Sequence, residues 1–340
     1  MIKQTINPQQ IRYITVHTAK ADAHHFLLGA SIVKYRDMWV CAYGQSMELE
    51  NDSRTRFACK YSFDNCATWS NEVEIAGVDG DHSHSHGILF KYGDRLLAYC
   101  PRANYEAGNF YPDLRMEAYS LSEDLTWKFE GVALQDTFWP LCEPMLLDNG
   151  DLLIAGLSNR NAGHGRATPA VALASGNDPF HWKMVTIPNP EQIKLWGETS
   201  VIDYGNRLAA FIRTPVGKAA ISESFDHGKS WTPLAISQVD AANAKIYGGT
   251  LRSGDKYLIY NFESRKNMII ALGECGKGYA FPNVHPIRQG YRVPPAFLNN
   301  PQWAYPYAVE EDGNLYVVYS ENKENCELAI IPLLPSNKNV

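Results

Sequence analysis

Residues 222–231 read SESFDHGKSW, and their frame of Ser224, Asp226, Gly228 and Trp231 recurs along the chain. YSFDNCATW at 61–69 repeats it as Ser62, Asp64 and Trp69, with Cys66 in place of the glycine. SLSEDLTW at 120–127 and SGNDPFHW at 175–182 keep the serine-to-tryptophan spacing while the aspartate and glycine drift. GECGKGYAF at 273–281, with Phe281 for tryptophan, is a weak fifth match. An aspartate can accept backbone hydrogen bonds within its own turn, and a tryptophan can pack between sheets. The recurrence therefore points to a repeated structural unit, with Trp69, Trp127, Trp182 and Trp231 in structural roles.

A second repeat interleaves with the first. ASIVKYRDMWVCAY, GILFKYGDRLLAYC, MLLDNGDLLIAGL, SVIDYGNRLAAFIR, GTLRSGDKYLIYN and YAVEEDGNLYVVYS share one form. Each is an apolar strand, a tight polar turn and a second apolar strand. Gly93, Gly150, Gly205, Gly254 and Gly313 mark the turns, with Arg36-Asp37 in the first copy. Such turns between apolar runs signal hairpins. The copies start about 50 to 60 residues apart, a period of four-stranded propeller blades.

The hairpin supplies the first two strands of a blade. A third follows in segments such as TRFACKYS and KAAISES, and the fourth comes after the serine–tryptophan turn. One such sheet cannot bury its faces alone, whereas a ring of them can. The expected fold is all-β, a six-bladed β-propeller of four-stranded antiparallel blades. The last copy has only three strands, ending in CELAIIPLL. RYITVHT at 12–18 is the candidate for the missing strand, so the N-terminal strand closes the ring and 1–340 reads as a single domain.

Composition narrows the function. The 340 residues carry a net charge of -6, which disfavours nucleic acid or an anionic membrane as a partner. No apolar run reaches transmembrane length, so no stable membrane insertion is expected. MIKQTINPQQ lacks the apolar core of a signal peptide, leaving a cytoplasmic or a processed, exported location open. The seven cysteines contain no close CxxC pair and read as small buried side chains. No cofactor or metal is expected.

Chemistry should gather where the inner strands begin and the loops between second and third strands open, at one mouth of the channel. Inner-strand starts offer His24, His25, His82, His84, His86, Glu143, Glu198, Lys245, Tyr247, Tyr305 and Tyr307. The loops offer Arg102, Arg160, Arg166, Arg213 and Arg265. Several arginines around one cleft suit an anionic ligand, because guanidinium matches a carboxylate bidentately. Tyr305 and Glu198 form the most useful pair. A tyrosine is a weak nucleophile until a base takes its proton, and a glutamate beside it supplies one. The plainer alternative is a glutamate–arginine strut and a packed tyrosine.

HSHSHG at 82–87 stands apart. In an extended strand His82, His84 and His86 share one face. Their spacing on a single strand is awkward for zinc. Catalysis through His84, substrate binding through His86 and a structural role all remain open.

With SFDHGKSW and SFDNCATW in view, the chain resembles the sialidase superfamily with its bacterial neuraminidase repeats, or Asp-boxes. WGETSVIDYGNRLAAFIRT resembles the segment carrying the nucleophile's glutamate partner and a carboxylate-binding arginine, here Glu198 and Arg213. YLIYNFESR resembles the segment with the next arginine, here Arg265. YPYAVEEDGNLYVVYS resembles the segment with the tyrosine nucleophile, here Tyr305. The resemblance implies a retaining exo-glycoside hydrolase acting on a terminal acidic sugar of a glycan, through a covalent tyrosyl intermediate. Arg102, His86, Glu143 and Tyr307 complete the expected substrate contacts.

The first blades depart from that family. HHFLLGAS stands where a Phe/Tyr-Arg-Ile-Pro motif is usual, so Arg56 or Arg102 would have to complete the arginine set. Asp22, Asp52 and Asp113 are available as acids, but none sits in a recognisable motif. Two other functions stay in play: a polysaccharide lyase acting on a uronate-containing glycan, and a non-catalytic carbohydrate-binding propeller.

Overall fold

The computed structural model describes residues 3–21, 23–47, 49–105, 111, 113–159, 167–273 and 279–336. It is an all-β ring of six antiparallel sheets. The innermost strands are Phe26–Tyr35, Ser83–His84 with Ile88–Tyr92, Phe138–Pro140 with Met145–Leu146, Thr199–Asp203, Tyr247–Thr250 and Trp303–Glu311. Each heads a blade whose further strands follow in sequence order outward, save the outermost strands of the last blade. Sheets packed on both faces need apolar residues on both faces. The third strand of the fifth blade, Met268–Gly273, is accordingly MIIALG and buried throughout.

The N-terminus closes the ring. Arg12–His17 pairs antiparallel with Asn325–Pro335, the third strand of the last blade. A short strand at Gln4–Ile6, not foreseen from the sequence, pairs with the far end of that same strand. Between the two, Pro8–Gln10 forms a 3-10 turn capped by the Asn7 side chain. The Asp255 carboxylate accepts from the backbone N–H groups of Lys3 and Gln4, tying this segment to the fifth blade. Trp39 of the first blade packs on Tyr316 of the last, their rings 4.0 Å apart. Cys41 and Cys326 meet across the same seam with their sulfurs 3.8 Å apart, both buried.

The opening motif forms one turn twice. The Ser62 and Ser224 hydroxyls donate to Asp64 and Asp226 at 2.8 and 2.9 Å. The same serines accept from the N–H groups of Cys66 and Gly228. Cys66 takes the left-handed backbone that Gly228 takes, with φ of 69° and 82°. SGNDPFHW is a looser version, in which Ser175 donates to Asn177 and Trp182 to the Pro179 carbonyl. SLSEDLTW departs from the expectation. Trp127 pairs directly with Leu121, and Ser122 closes a tight hairpin onto Thr126. Its serine–tryptophan spacing is shared but its turn is not. Part of GECGKGYAF lies outside the described residues.

Trp231 is 7% exposed and donates to the Gly228 carbonyl at 3.1 Å. Trp231→Ala is expected to cost about 3–5 kcal/mol in denaturant unfolding. Among the described residues no helix is long and apolar enough to cross a membrane.

Candidate active site

Four of the six innermost strands are irregular toward one end of the channel, and a cavity of about 330 Å³ opens there. In the first blade the pairing slips between Leu28 and Ser31, at Gly29. The second and third blades break their inner strands around His86 and Leu141. In the last, one extra residue is inserted between Ala304 and Tyr307. Tyr305 sits in that bulge with φ of 56°. Left-handed backbone at a non-glycine residue costs roughly 1 kcal/mol or more, and a bulge re-aims the side chain it carries. Here it places Tyr305 in the cavity wall.

Glu198 and Arg213 arrive together because the pairing Thr199↔Ile212 puts them one step beyond the ladder, facing each other. The Arg213 N–H donates to the Glu198 carbonyl at 3.1 Å, and Arg213 Nη1 to Glu198 Oε2 at 2.7 Å. Arg213 also donates to Asn243 Oδ1 and lies beneath the half-exposed ring of Trp196. Arg265 comes from the equivalent loop of the fifth blade. It donates twice to the Asn243 carbonyl and once to the Gln302 side chain. Among the described residues no carboxylate lies within ion-pair distance of Arg265, and the charges of Glu198 and Glu50 act on it from farther off.

The electrostatics follow. Burial works to raise the Glu198 carboxyl, but Arg213, Arg265 and hydrogen bonding with Tyr305 together hold it below its usual range. Burial pushes the Tyr305 phenol well above its ordinary value, the charges of Glu198 and Glu50 add to this, and the two arginines oppose it. At neutral pH the pair is thus a phenol beside a carboxylate.

His86 completes the wall, in space that glycine leaves. A Cβ on Gly29 would stand 1.9 Å from its ring and one on Gly44 2.8 Å from its Cβ. Its ring packs edge-on to Tyr305 at 5.9 Å and against Trp139 at 4.9 Å. Burial, then Lys245 and Lys323, drive its pKa down to about 3, so it is neutral.

The other expected residues go elsewhere. His84 is held on both ring nitrogens, by the Gly77 carbonyl at 2.6 Å and Glu117 at 2.9 Å, with Tyr119 bridging. Arg102 pairs with Asp79 at 2.6 Å and approaches the same Glu117. The histidine run does not share a face, because the strand stops after His84. His82 pairs with Asp81 and Asp113, His84 with Glu117, and His86 turns to the cavity. Glu143 lines a different cavity, and the Tyr307 hydroxyl meets it at 3.4 Å. Tyr307 would share a face with Tyr305 in a regular strand, but the extra bulge residue shifts the alternation. Arg56 is engaged by Gln45 and Glu72. Asp52 accepts from its own loop's backbone at Met47 and Arg54. Asp22, Arg160 and Arg166 lie outside the described residues. Among the described residues no group of three His, Cys, Asp or Glu side chains is placed to hold a metal.

Sequence reasoning missed Glu50 and Lys323, which pair across the cavity at 2.5 Å. Glu50 comes from MELENDSRT, the loop between second and third strands of the first blade. That is the kind of loop already expected at this mouth, so its position was available as a signal. Lys323 sits on a hairpin turn with φ of 58°, and its backbone carbonyl accepts from Leu27 of the first blade. Tyr111, Trp139, Leu141 and Leu157 pack together and give the cavity an apolar part.

The ring superposes on solved structures of low sequence identity, which bear on the fold. A protein of unknown function from Dyadobacter fermentans is 14% identical with a TM-score of 0.73, covering 95% of this chain and 99% of its own. The Hadza microbial sialidase Hz136 is 11% identical with a TM-score of 0.71, over 96% and 69%. Trypanosoma rangeli sialidase in complex with the inhibitor DANA is 13% identical with a TM-score of 0.66. That match covers 96% of this chain and 59% of the sialidase. No curated protein matches the chain. Residues 40–317 match the model of the BNR repeat-like domain, and the chain belongs to that family.

Proposed function

We propose that the protein is a sialidase-like exo-glycoside hydrolase acting on a terminal acidic sugar, with Tyr305 as nucleophile and Glu198 as its base. The observation that carries this reading is the bulge that sets Tyr305 in the cavity wall beside Glu198, Arg213 and Arg265. A neutral nucleophile that gains a base only at the site avoids setting a carboxylate against an anionic sugar. The sugar carboxylate takes the guanidinium of Arg265, which has no carboxylate partner among the described residues, together with Arg213. Glu50 then serves as the acid that protonates the departing oxygen and the base that later activates water. Lys323 holds its carboxylate in place. Tyr305 Oη bonds to the anomeric carbon as the glycosidic bond breaks. Water displaces the tyrosine, and configuration is retained.

The test is a rapid quench with a fluorinated, activated acidic glycoside. Peptide mass spectrometry is expected to find sugar on Tyr305 in wild type and none in Glu198→Gln. A product with a new ultraviolet-absorbing double bond would instead identify an eliminating enzyme. Binding without turnover would identify a lectin-like propeller.

A further inference from the structure

At the opposite end of the channel lies a second cavity of about 470 Å³, walled by the third to sixth blades. It opens near the hairpin turn at Asp203–Gly205, whereas Glu198 and Arg213 lie at the other end of the same strands. A layer closed by Lys245 and Tyr247 separates the two. Lys245 donates to the Leu141 carbonyl at 2.9 Å and Tyr247 to the Ala308 carbonyl at 2.9 Å. Nothing in the proposed hydrolysis uses this second space.

Two groups in it are left incomplete. Glu143 is half-buried and receives a single long hydrogen bond, from Tyr307 at 3.4 Å. Among the described residues no lysine or arginine lies within ion-pair distance of it. Burial pushes its carboxyl up to about 7. Tyr257 is only 4% exposed, and its hydroxyl has no hydrogen-bond partner among the described residues. The hydroxyl stands over Gly249, where a Cβ would come within 2.5 Å of it. Both groups line the cavity, and a half-buried carboxylate without a counter-charge gains from a partner of opposite sign.

The surroundings select the sign of that something. Asp203 and Glu310 stand on the rim with Glu143, against Lys256 on the wall and Lys245 beneath the Tyr247 ring. Lys256 donates to Thr250 at 3.0 Å and lies 5.6 Å from the Tyr204 ring centre. An anion is disfavoured there, and a neutral sugar would leave Glu143 without a counter-charge. The Tyr247 ring is already faced by Lys245 and packed on Tyr307, whereas the ring of Tyr257 adds a surface that attracts cations. We propose that this second cavity binds a small organic ammonium ion, paired with the Glu143 carboxylate and seated against the Tyr257 ring.

Choline and its uncharged isostere 3,3-dimethylbutan-1-ol are the probes, titrated into the full chain by calorimetry. The measurement is made at about pH 8, where most Glu143 is ionised. Choline is expected to bind one-to-one with a Kd of about 1 mM or tighter, and the isostere at least about tenfold more weakly. Glu143→Gln is expected to weaken choline by about tenfold while leaving the isostere unchanged. Equal affinity of wild type for the two probes overturns the proposal, as does absence of choline binding. If Glu143→Gln does not fold, the wild-type comparison of charged and uncharged probes still decides. The Tyr305 reading is untouched by either result, since its own test is covalent labelling at the other mouth.

Discussion

Tyr305→Phe is expected to lower cleavage of an acidic glycoside by about 10³-fold or more while the protein stays folded. The substitution removes the attacking oxygen and keeps the ring, which packs with Leu28 and Ala304. The hydroxyl's polar interaction with Glu198 and Arg213 is lost, so a stability cost of no more than about 1–2 kcal/mol is expected in urea unfolding. The bulge itself is held by the pairing of Ala304 with Ser320 and Tyr307 with Val318, which does not involve the hydroxyl. Wild-type turnover by Tyr305→Phe would remove tyrosine from the mechanism. A collapse of folding would show that the residue is a strut.

Arg213→Gln is expected to cost about 3–5 kcal/mol of stability near neutral pH, beyond its effect on ligand binding. Glu198 and Arg213 are both buried, 8% and 7% exposed, so removing the cation strands a carboxylate. The pH dependence gives the test its sign. In wild type the Glu198 carboxyl is depressed below its usual 4.5. The stability this contributes is present above that value and is lost as pH falls through the lower folded value. Without Arg213, burial dominates and the folded-state value rises. The folded variant then holds its proton longer than the unfolded chain, and stability falls as pH climbs through that range. The gap between wild type and Arg213→Gln should therefore be wide at neutral pH and narrow toward about pH 4. A gap of constant width would mean that lost packing, not stranded charge, is the cause. Arg213→Lys, which keeps the charge but not the planar fork, should recover part of the stability and less of the carboxylate binding.

The ring was legible because it is written in repeats. Six hairpins and a three-stranded final blade called for a strand from the other terminus, and Arg12–His17 supplies it. Glu198, Arg213, Arg265 and Tyr305 stood out through the resemblance of their segments to a known family, and all four line one cavity. Period-two reasoning failed wherever an inner strand is broken. One inserted residue at Tyr305 separates Tyr305 from Tyr307, and the stop after His84 scatters the histidine run. Nothing local in HSHSHG indicates that Gly29 and Gly44, in another blade, leave the hollow that His86 fills. Glu50 and Lys323 were hidden for a similar reason. Their pairing spans the seam between first and last blades, and each residue alone resembles an ordinary surface charge.

That seam also sets an order in time. The Thr15 side chain hydrogen-bonds Glu327, 312 positions away. On a ribosome, Arg12–His17 emerges before all six blades, and Asn325–Pro335 only after five of them have been made. The other blades can form from neighbouring segments as they appear, but Arg12–His17 must wait unpaired until the last blade has been made. Contacts of such separation slow folding, and an unpaired strand edge is a template for association with other chains. The N-terminal segment is thus the part most in need of chaperone protection during synthesis. Its late docking converts an open arc of blades into a ring in a single step.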